Sequence, residues 1–455
     1  MSQNRLFGTD GVRAPFGQYP LDKPTVCALG RALGEQLGAG SRVVLGGDTR
    51  DSSPTLARWL ASGLAGQQVA AQSAGVLPTP GIAFLTRQTG ATAGIALSAS
   101  HNPYPDNGIK LIDGAGFKWS EEAERELEGR LANSSGELTP DSRLPPVSEL
   151  ERLDPSPYRA SLLASLGNER PLAGLRLVLD TGHGAASELA GPLFVELGAK
   201  VEVIADQPDG QNINRGYGST HPEALAARIR ETGADLGFAF DGDADRAILV
   251  DDHGVVRDGD AILYLWARHL VQQQRLSGRA IVVTSMSNLG LERALRALDV
   301  TVLRCGVGDR EVVATLRRNG LVLGGEQSGH IVHLDLATTG DGLLTALQTA
   351  ALVRHAERPV SEQLAAFERY PQVLQNVTVA HKPDLGSLPT VAAAARAAED
   401  QLGQDGRLVL RYSGTEPLAR IMIEGPDQNT IEELAGNIAE AINGAIGAVR
   451  LETRP

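Results

Sequence analysis

Three times along this chain, a short β-rich apolar run passes through a helical pattern and returns to a second apolar run that ends in a polar loop. The first instance starts at Val43-Val44-Leu45-Gly46 and runs through Asp48-Thr49-Arg50 and a helix around Leu56–Leu64. It returns at Gly94-Ile95-Ala96-Leu97 to deliver Ser98-Ala99-Ser100-His101-Asn102-Pro103. The second starts at Leu175–Asp180, crosses a Gly-rich turn (Gly182, Gly184) and a helix near Ala185–Leu197, and returns at Leu236–Phe240. It delivers Asp241-Gly242-Asp243-Ala244-Asp245-Arg246. The third starts at Ala280–Val283, has a helix near Leu291–Leu298, and returns at Leu321-Val322-Leu323 to deliver Gly325-Glu326-Gln327-Ser328-Gly329-His330. Short apolar runs alternating with helices predict parallel βαβ sheets. Loops at the carboxyl ends of such strands line the binding crevice. Three related units therefore converge on one cleft.

The last ~85 residues read differently, as α+β. Strands are expected near Val373–Val379, Leu408–Tyr412 and Ile421–Glu424, with a helix near Thr390–Leu402 and another closing the chain. A Ser-, Pro- and Glu-rich stretch over Ser134–Pro157 reads as a linker. The expected domains are 1–155, 156–252, 253–366 and 367–455. The net charge of −13 disfavours nucleic acid and anionic lipid as partners. An anionic substrate then needs a locally basic cleft. Only five of the 42 cationic residues are Lys, and the guanidinium fork of Arg suits bidentate phosphate binding. Cys27 and Cys305 lie far apart without a partner motif, as expected of reduced thiols. Residues 1–10 carry no apolar signal region, and no run approaches a membrane span. A cytoplasmic enzyme is expected.

The polar loops carry the chemistry. In extended chain, Asp241, Asp243 and Asp245 share one side. Three carboxylates so gathered repel one another, and Mg²⁺ or Ca²⁺ is the natural compensation. An EF-hand would need Gly and Glu where Arg246 and Asp252 stand; a solvated acidic turn is the other alternative. Ser100 sits in a turn-rich loop and, taken alone, reads equally as a structural turn. His101 adjoins it, and in extended chain the two would point apart, which argues against a simple Ser–His pair. A phosphorylated Ser100 would itself be a metal ligand. Glu326, Ser328 and His330 alternate on a small-residue loop suited to sugar hydroxyls, or merely to holding their own turn. Arg411-Tyr412-Ser413-Gly414-Thr415-Glu416-Pro417, with Arg420 beyond, offers hydroxyls, backbone N–H groups and guanidiniums to a phosphate; a plain hairpin is the alternative. Gly8-Thr9-Asp10-Gly11-Val12-Arg13 ends in a further cation. Lys110 follows Ser100 closely, either as a general base or as a surface lysine.

Taken together, Ser-Ala-Ser-His-Asn-Pro, Asp-Gly-Asp-Ala-Asp-Arg, Gly-Glu-Gln-Ser-Gly-His and Arg-Tyr-Ser-Gly-Thr-Glu-Pro occur in the order seen in the α-D-phosphohexomutase superfamily, which the chain resembles over essentially its whole length. The resemblance implies three related mixed α/β sheet domains plus a C-terminal α+β domain around a central cleft. It implies that Ser100 carries the phosphoryl group and holds Mg²⁺ together with Asp241, Asp243 and Asp245. Glu326 and Ser328 would contact sugar hydroxyls. Arg411, Ser413, Gly414, Thr415 and Arg420 would grip the non-reacting phosphate. Arg13, Lys110 and Arg246 would flank the reacting one, with Lys110 as base and His101 or His330 assisting. Gly218–Glu223, Met286-Ser287-Asn288, Val307–Arg310 and Thr338–Gly342 point to the members acting on hexosamine phosphates. Ala244, Tyr217 and Leu336 depart from the pattern of those members, where Gly, Cys and Lys are commoner.

The implied reaction passes a phosphoryl group from Ser100 to a glucosamine monophosphate. A glucosamine 1,6-bisphosphate forms, turns over in the cleft, and returns its other phosphate. That bisphosphate, or glucose 1,6-bisphosphate, would serve as activator, and the resemblance admits a homodimer. The same chemistry on glucose or mannose phosphates is the nearest alternative. A haloacid-dehalogenase-like phosphatase using Asp241 would want Thr or Val where Asp245 stands. A catalytically silent sugar-phosphate sensor is the remaining alternative.

Overall fold

The computed structural model describes residues 6–8, 10–133, 150–167, 170–413 and 417–446. The threefold repeat is realised as sheet geometry. In the first sheet Arg42–Gly47 runs parallel between Ala70–Val76 and Ala93–Leu97, and Ala93–Leu97 pairs antiparallel with Asp106–Asp113. In the second, Arg176–Asp180 lies between Lys200–Ile204 and Leu236–Phe240, which pairs antiparallel with Ala247–Val250. In the third, Ala280–Thr284 lies between Thr301–Cys305 and Leu323–Gly325, which pairs antiparallel with Ile331–His333. The sheets are thus mixed. Each polar motif does sit at the carboxyl end of a strand, but the chain turns straight back there instead of entering a crossover helix.

The strands leading to the first two motifs, Ala93–Leu97 and Leu236–Phe240, are buried at every position. Continuous apolar runs of this kind are what a sheet covered on both faces demands. Val12–Pro15 and Glu151–Arg152 form the edges of the first sheet. Val256–Arg257 pairs with Ala247–Val250 and carries the second sheet past the boundary expected at 252. The helix expected at Ala185–Leu197 is shorter, Ala190–Glu196, because successive turns take up its start: the Ser187 N–H donates to the Gly184 carbonyl and the Leu189 N–H to the Ala186 carbonyl, each at 3.1 Å. The third returning strand lies at Leu323–Gly325, not Leu321–Leu323. Of the expected linker, residues 134–149 lie outside the described residues, and its end enters the helix Ser156–Ala164. Cys27 and Cys305 are free and half-buried. Among the described residues no helix is long and apolar enough to cross a membrane.

The chain divides into two compact units, and Ser285–Ala297 belongs with the C-terminal residues from Ala366 onward. Hydrogen bonds explain the grouping: Asn288 donates to the carbonyl of Tyr370 and to Glu424, each at 3.0 Å, and Arg407 donates to the Ser287 carbonyl at 2.8 Å. Arg293 also stacks over the Tyr370 ring. In the same unit Leu418–Glu424 is flanked antiparallel by Gln372–Thr378 and Arg407–Tyr412, over the helices Pro389–Leu402 and Gln428–Ile446.

In the first unit the helices Lys23–Leu37 and Ser53–Ala65 approach so closely that a Cβ at Gly63 would lie 2.3 Å from the Cys27 carbonyl oxygen and 2.6 Å from the Arg31 nitrogen. Helix propensity alone favours Gly63→Ala by ~1 kcal/mol. Overpacking against rigid backbone costs ~1–3 kcal/mol and wins. Gly63→Ala therefore lowers the urea midpoint; a raised midpoint would show that the helices can separate without penalty.

Candidate active site

Asp241, Asp243 and Asp245 are buried, and one ligand oxygen from each lies within 4.8 Å of the others. They converge by a turn rather than by the extended alternation expected. The Ala244 N–H donates to the Asp241 carbonyl at 3.0 Å, and Ala244 has φ 51°. That left-handed backbone is a reason for Gly to be commoner there. Burial, then the charges of Asp245 and Asp243, push the Asp241 carboxyl well above its usual range. Burial acts the same way on Asp245, but the neighbouring Lys110 and His330 outweigh it and hold this carboxyl well below that range. Buried Oδ1 atoms of Asp243 and Asp245 accept no hydrogen bond. Orphaned, crowded carboxylate oxygens fit a hard divalent cation.

Ser100 is fully buried in the hairpin between Ala93–Leu97 and Asp106–Asp113, and its Oγ donates to Asp241 Oδ2 at 2.5 Å. Its backbone is left-handed, φ 53°, not extended. His101 therefore does not point away: its Nδ1 lies 3.3 Å from Ser100 Oγ. Burial, then Arg246 and Arg13, depress the His101 imidazole to about 4, leaving it neutral at physiological pH. Arg246 donates its backbone N–H to Asp241 at 3.1 Å, and its guanidinium reaches His101 at 3.4 Å. Arg13 pairs with Asp10 and donates to Asn102 at 3.4 Å.

Lys110 is buried between Asp10 at 3.1 Å, Asp243 at 2.7 Å and Asp245 at 3.5 Å. Burial opposes its charge, but the three carboxylates outweigh that and hold its pKa well above the ordinary value. In this arrangement it is the counter-charge of the triad. Four partners lay beyond the expected list. Thr79, at the start of the helix Thr79–Thr89, donates both its N–H, to the Asp243 carbonyl at 3.0 Å, and its hydroxyl, to Asp243 Oδ2 at 2.5 Å. Lys118 joins Asp10 to Asp309. Asp309 also lies 3.5 Å from His330 Nε2, and Asp245 lies 3.6 Å from His330 Nδ1. Burial opposes charge on His330, yet Asp245 and Asp309 raise its pKa overall. Because Nε2 accepts the Gly340 N–H at 3.0 Å, the proton sits on Nδ1, facing Asp245. Only Asp10 and Asp309 had any signal in the sequence, as members of the motifs Gly8–Arg13 and Val307–Arg310.

Glu326 and Ser328 lie in the hairpin between Leu323–Gly325 and Ile331–His333. Glu326 accepts the Gly308 N–H at 3.2 Å, and burial raises its carboxyl pKa. The buried Ser328 Oγ makes no hydrogen bond. This loop packs on the second sheet through the Ala247 N–H, which donates to the Gly329 carbonyl at 3.1 Å.

In the C-terminal unit Arg411 and Arg420 are direct cross-strand partners. Burial, then the charge of Arg420, lowers the Arg411 pKa. Like charges directly opposite are unfavourable, and an anion between them reverses the sign. Lys382 adds a third cation nearby, donating to the Ser413 carbonyl at 2.6 Å. Gly414 and Thr415 lie outside the described residues.

Four family models match in order. They are described as Phosphoglucomutase/phosphomannomutase alpha/beta/alpha domain I at residues 4–137, domain II at 157–254, domain III at 258–370, and the C-terminal domain at 374–441. A phosphoglucosamine mutase of Anaeromyxobacter dehalogenans (strain 2CP-C) is 45% identical over 458 residues, covering 97% of this chain and 99% of its own. That of Myxococcus xanthus (strain DK1622) is 45% identical over 453 residues, with 98% of each covered. Among solved structures, a phosphoglucomutase/phosphomannomutase family protein of Burkholderia thailandensis superposes with a TM-score of 0.80 at 25% identity over 98% of each chain. The N-acetylphosphoglucosamine mutase of Aspergillus fumigatus, solved with GlcNAc-6P and magnesium, shares the fold with a TM-score of 0.65 at 18% identity, over 97% of this chain and 96% of its own. Matched along nearly its whole length, and with its Ser100, Asp241–Asp245 and Glu326–His330 motifs in one unit, the chain belongs to the phosphoglucosamine mutases of the phosphoglucomutase/phosphomannomutase family.

Proposed function

We propose that this chain interconverts glucosamine 6-phosphate and glucosamine 1-phosphate through a phosphoryl group carried on Ser100, in the cytoplasmic supply of amino-sugar precursors for the cell wall. The observation that carries the reading is the Ser100 hydroxyl held 2.5 Å from Asp241 inside a buried carboxylate triad. Such a serine makes sense as a phosphoryl carrier, because its phosphate replaces the hydrogen bond with a charge that a cation must balance. Asp241, Asp243, Asp245 and the Ser100 phosphate would hold Mg²⁺, which when bound supplies charge neutralisation for the transferring group.

The chain's own residues do the rest. Arg13 and Arg246 offer guanidiniums to the equatorial oxygens, and Lys110 adds a buried ammonium. Transfer breaks the bond from Ser100 Oγ to phosphorus and forms one from the sugar hydroxyl oxygen. The sugar hydroxyl loses a proton, and Ser100 Oγ regains one. Neutral His101, 3.3 Å from that Oγ, is the group in place to hold a proton there. Glu326 and Ser328 take sugar hydroxyls, the Ser328 Oγ having no hydrogen-bond partner within the protein. The Arg411–Arg420 pair, with Ser413, Gly414 and Thr415, takes the phosphate that does not react. The bisphosphate formed must be bound in two opposite orientations, so glucosamine 1,6-bisphosphate, or its glucose analogue, activates protein that has lost the phosphoserine.

Ser100→Ala lowers mutase turnover to background, and mass spectrometry finds one phosphoryl group on Ser100 in wild-type protein treated with the bisphosphate. Turnover near wild type in that variant, or steady release of inorganic phosphate in place of isomerisation, would sink the scheme. The ratio of kcat/KM values for glucosamine, glucose and mannose phosphates fixes the sugar, with the highest value expected for glucosamine. Arg411→Gln raises KM for glucosamine 6-phosphate by about 10- to 100-fold, the size of one lost charge-assisted phosphate contact. An unchanged KM would remove the arginine pair from substrate binding.

A further inference from the structure

The left-handed backbone of Ser100 needs an explanation. A non-glycine residue with φ 53° is unfavourable and persists only where its surroundings hold it. Two side chains from different sheets converge on its carbonyl. Arg50, which follows the strand Arg42–Gly47, is fully buried in an ion pair with Asp48. Its Nη2 donates to the Asn102 carbonyl at 2.6 Å and to the Ser100 carbonyl at 3.3 Å. Asn214, from the connection between the second sheet's strand Lys200–Ile204 and the helix Glu223–Thr232, aims its Nδ2 at the same two oxygens, 2.9 Å from Ser100 and 3.0 Å from Asn102.

The second donor is itself held in place. The Asn214 N–H donates to the Gly182 carbonyl at 2.8 Å, and Asp180 accepts the N–H groups of Gly182 and Gly218 at 2.9 and 2.8 Å. Gly242, in the carboxylate turn, closes the remaining side. A Cβ there would lie 2.6 Å from the Ser100 carbonyl oxygen and 3.0 Å from Asn214 Nδ2.

We propose that Arg50 and Asn214 are positioning residues for phosphoryl transfer, clamping the Ser100 and Asn102 carbonyls so that Ser100 Oγ keeps its aim at the triad whether or not it carries a phosphoryl group. Neither side chain bonds to Oγ, so the clamp does not change as the phosphoryl group leaves and returns. Asp48 neutralises Arg50, so the pair acts through geometry and adds no net charge. Asn214 ties the serine loop of the first sheet to the second sheet, which carries the triad. The proposal rests on the reading of Ser100 as phosphoryl carrier.

The test is a single-turnover measurement. Protein phosphorylated on Ser100 is mixed with glucosamine 6-phosphate, and loss of phosphoserine is followed in time. Asn214→Gly keeps the left-handed backbone that Asn214 adopts (φ 59°) and removes only the donor. Misplacement of a reacting group by ~1 Å costs roughly 100-fold. The Asn214→Gly rate constant is accordingly expected to fall by about 10- to 100-fold, with the reacting fraction and the steady-state KM within about twofold of wild type. Arg50→Lys keeps the charge beside Asp48 but loses the fork, and shows the same pattern. A merely structural role lowers the reacting fraction and leaves the rate constant alone; that result, or unchanged rate constants, overturns the proposal. If wild-type protein itself transfers nothing, the carrier reading fails, and the proposal with it.

Discussion

Three carboxylates gathered in a buried turn cannot all be ionised unless positive charge surrounds them. Most of the first unit's polar architecture is a response to that constraint. Lys110 sits against Asp243 and Asp245, Arg246 reaches back over Asp245, and His330 turns its protonated Nδ1 towards the same group. Lys110 and the His330 ring each have an anchor in turn. Asp10 and Asp309 supply it, and Lys118 joins those two. The result is a chain of alternating charges that runs through all three sheets of the unit. Arriving charge, a divalent cation or a phosphoryl group, enters an arrangement already built of opposed pairs, so it can be accommodated by exchanging partners and not by exposing a bare ion.

The C-terminal unit solves the opposite problem. Its two arginines face each other across neighbouring strands, so each meets a like charge directly opposite. One unit thus gathers carboxylates, and the other sets two guanidiniums opposite each other.

Much of this was legible in the sequence where a residue's role depends on its immediate neighbours. Leu236–Phe240 reads as a buried strand because nothing in it is polar, and it is one. Asp241, Asp243 and Asp245 read as one site because two-residue spacing keeps them together under either an extended or a turned backbone. The backbone itself was not legible, because Ser100 and Ala244 adopt left-handed conformations imposed by contacts from other segments. Thr79, Lys118 and Asn214 were invisible for the same reason: ordinary residue types, outside the motifs, whose importance comes from what the fold sets beside them. Asn288 shows the converse. Its motif stood out in the sequence, but its amide binds Tyr370 and Glu424 and holds a helix to the C-terminal sheet.

The three chemical loops of the first unit share a further property. Each connects two strands that are neighbours both in sequence and in hydrogen bonding. Contacts of this kind close early, because little chain entropy is lost in bringing their ends together. The loops can therefore take shape with their own sheets, before the sheets meet. What remains for the late stage of folding is docking, in which carboxylates already gathered must find their counter-ions on another sheet. Secondary structure would then recover ahead of enzymatic competence during refolding, and the interval between them would measure how long the charges wait for their partners.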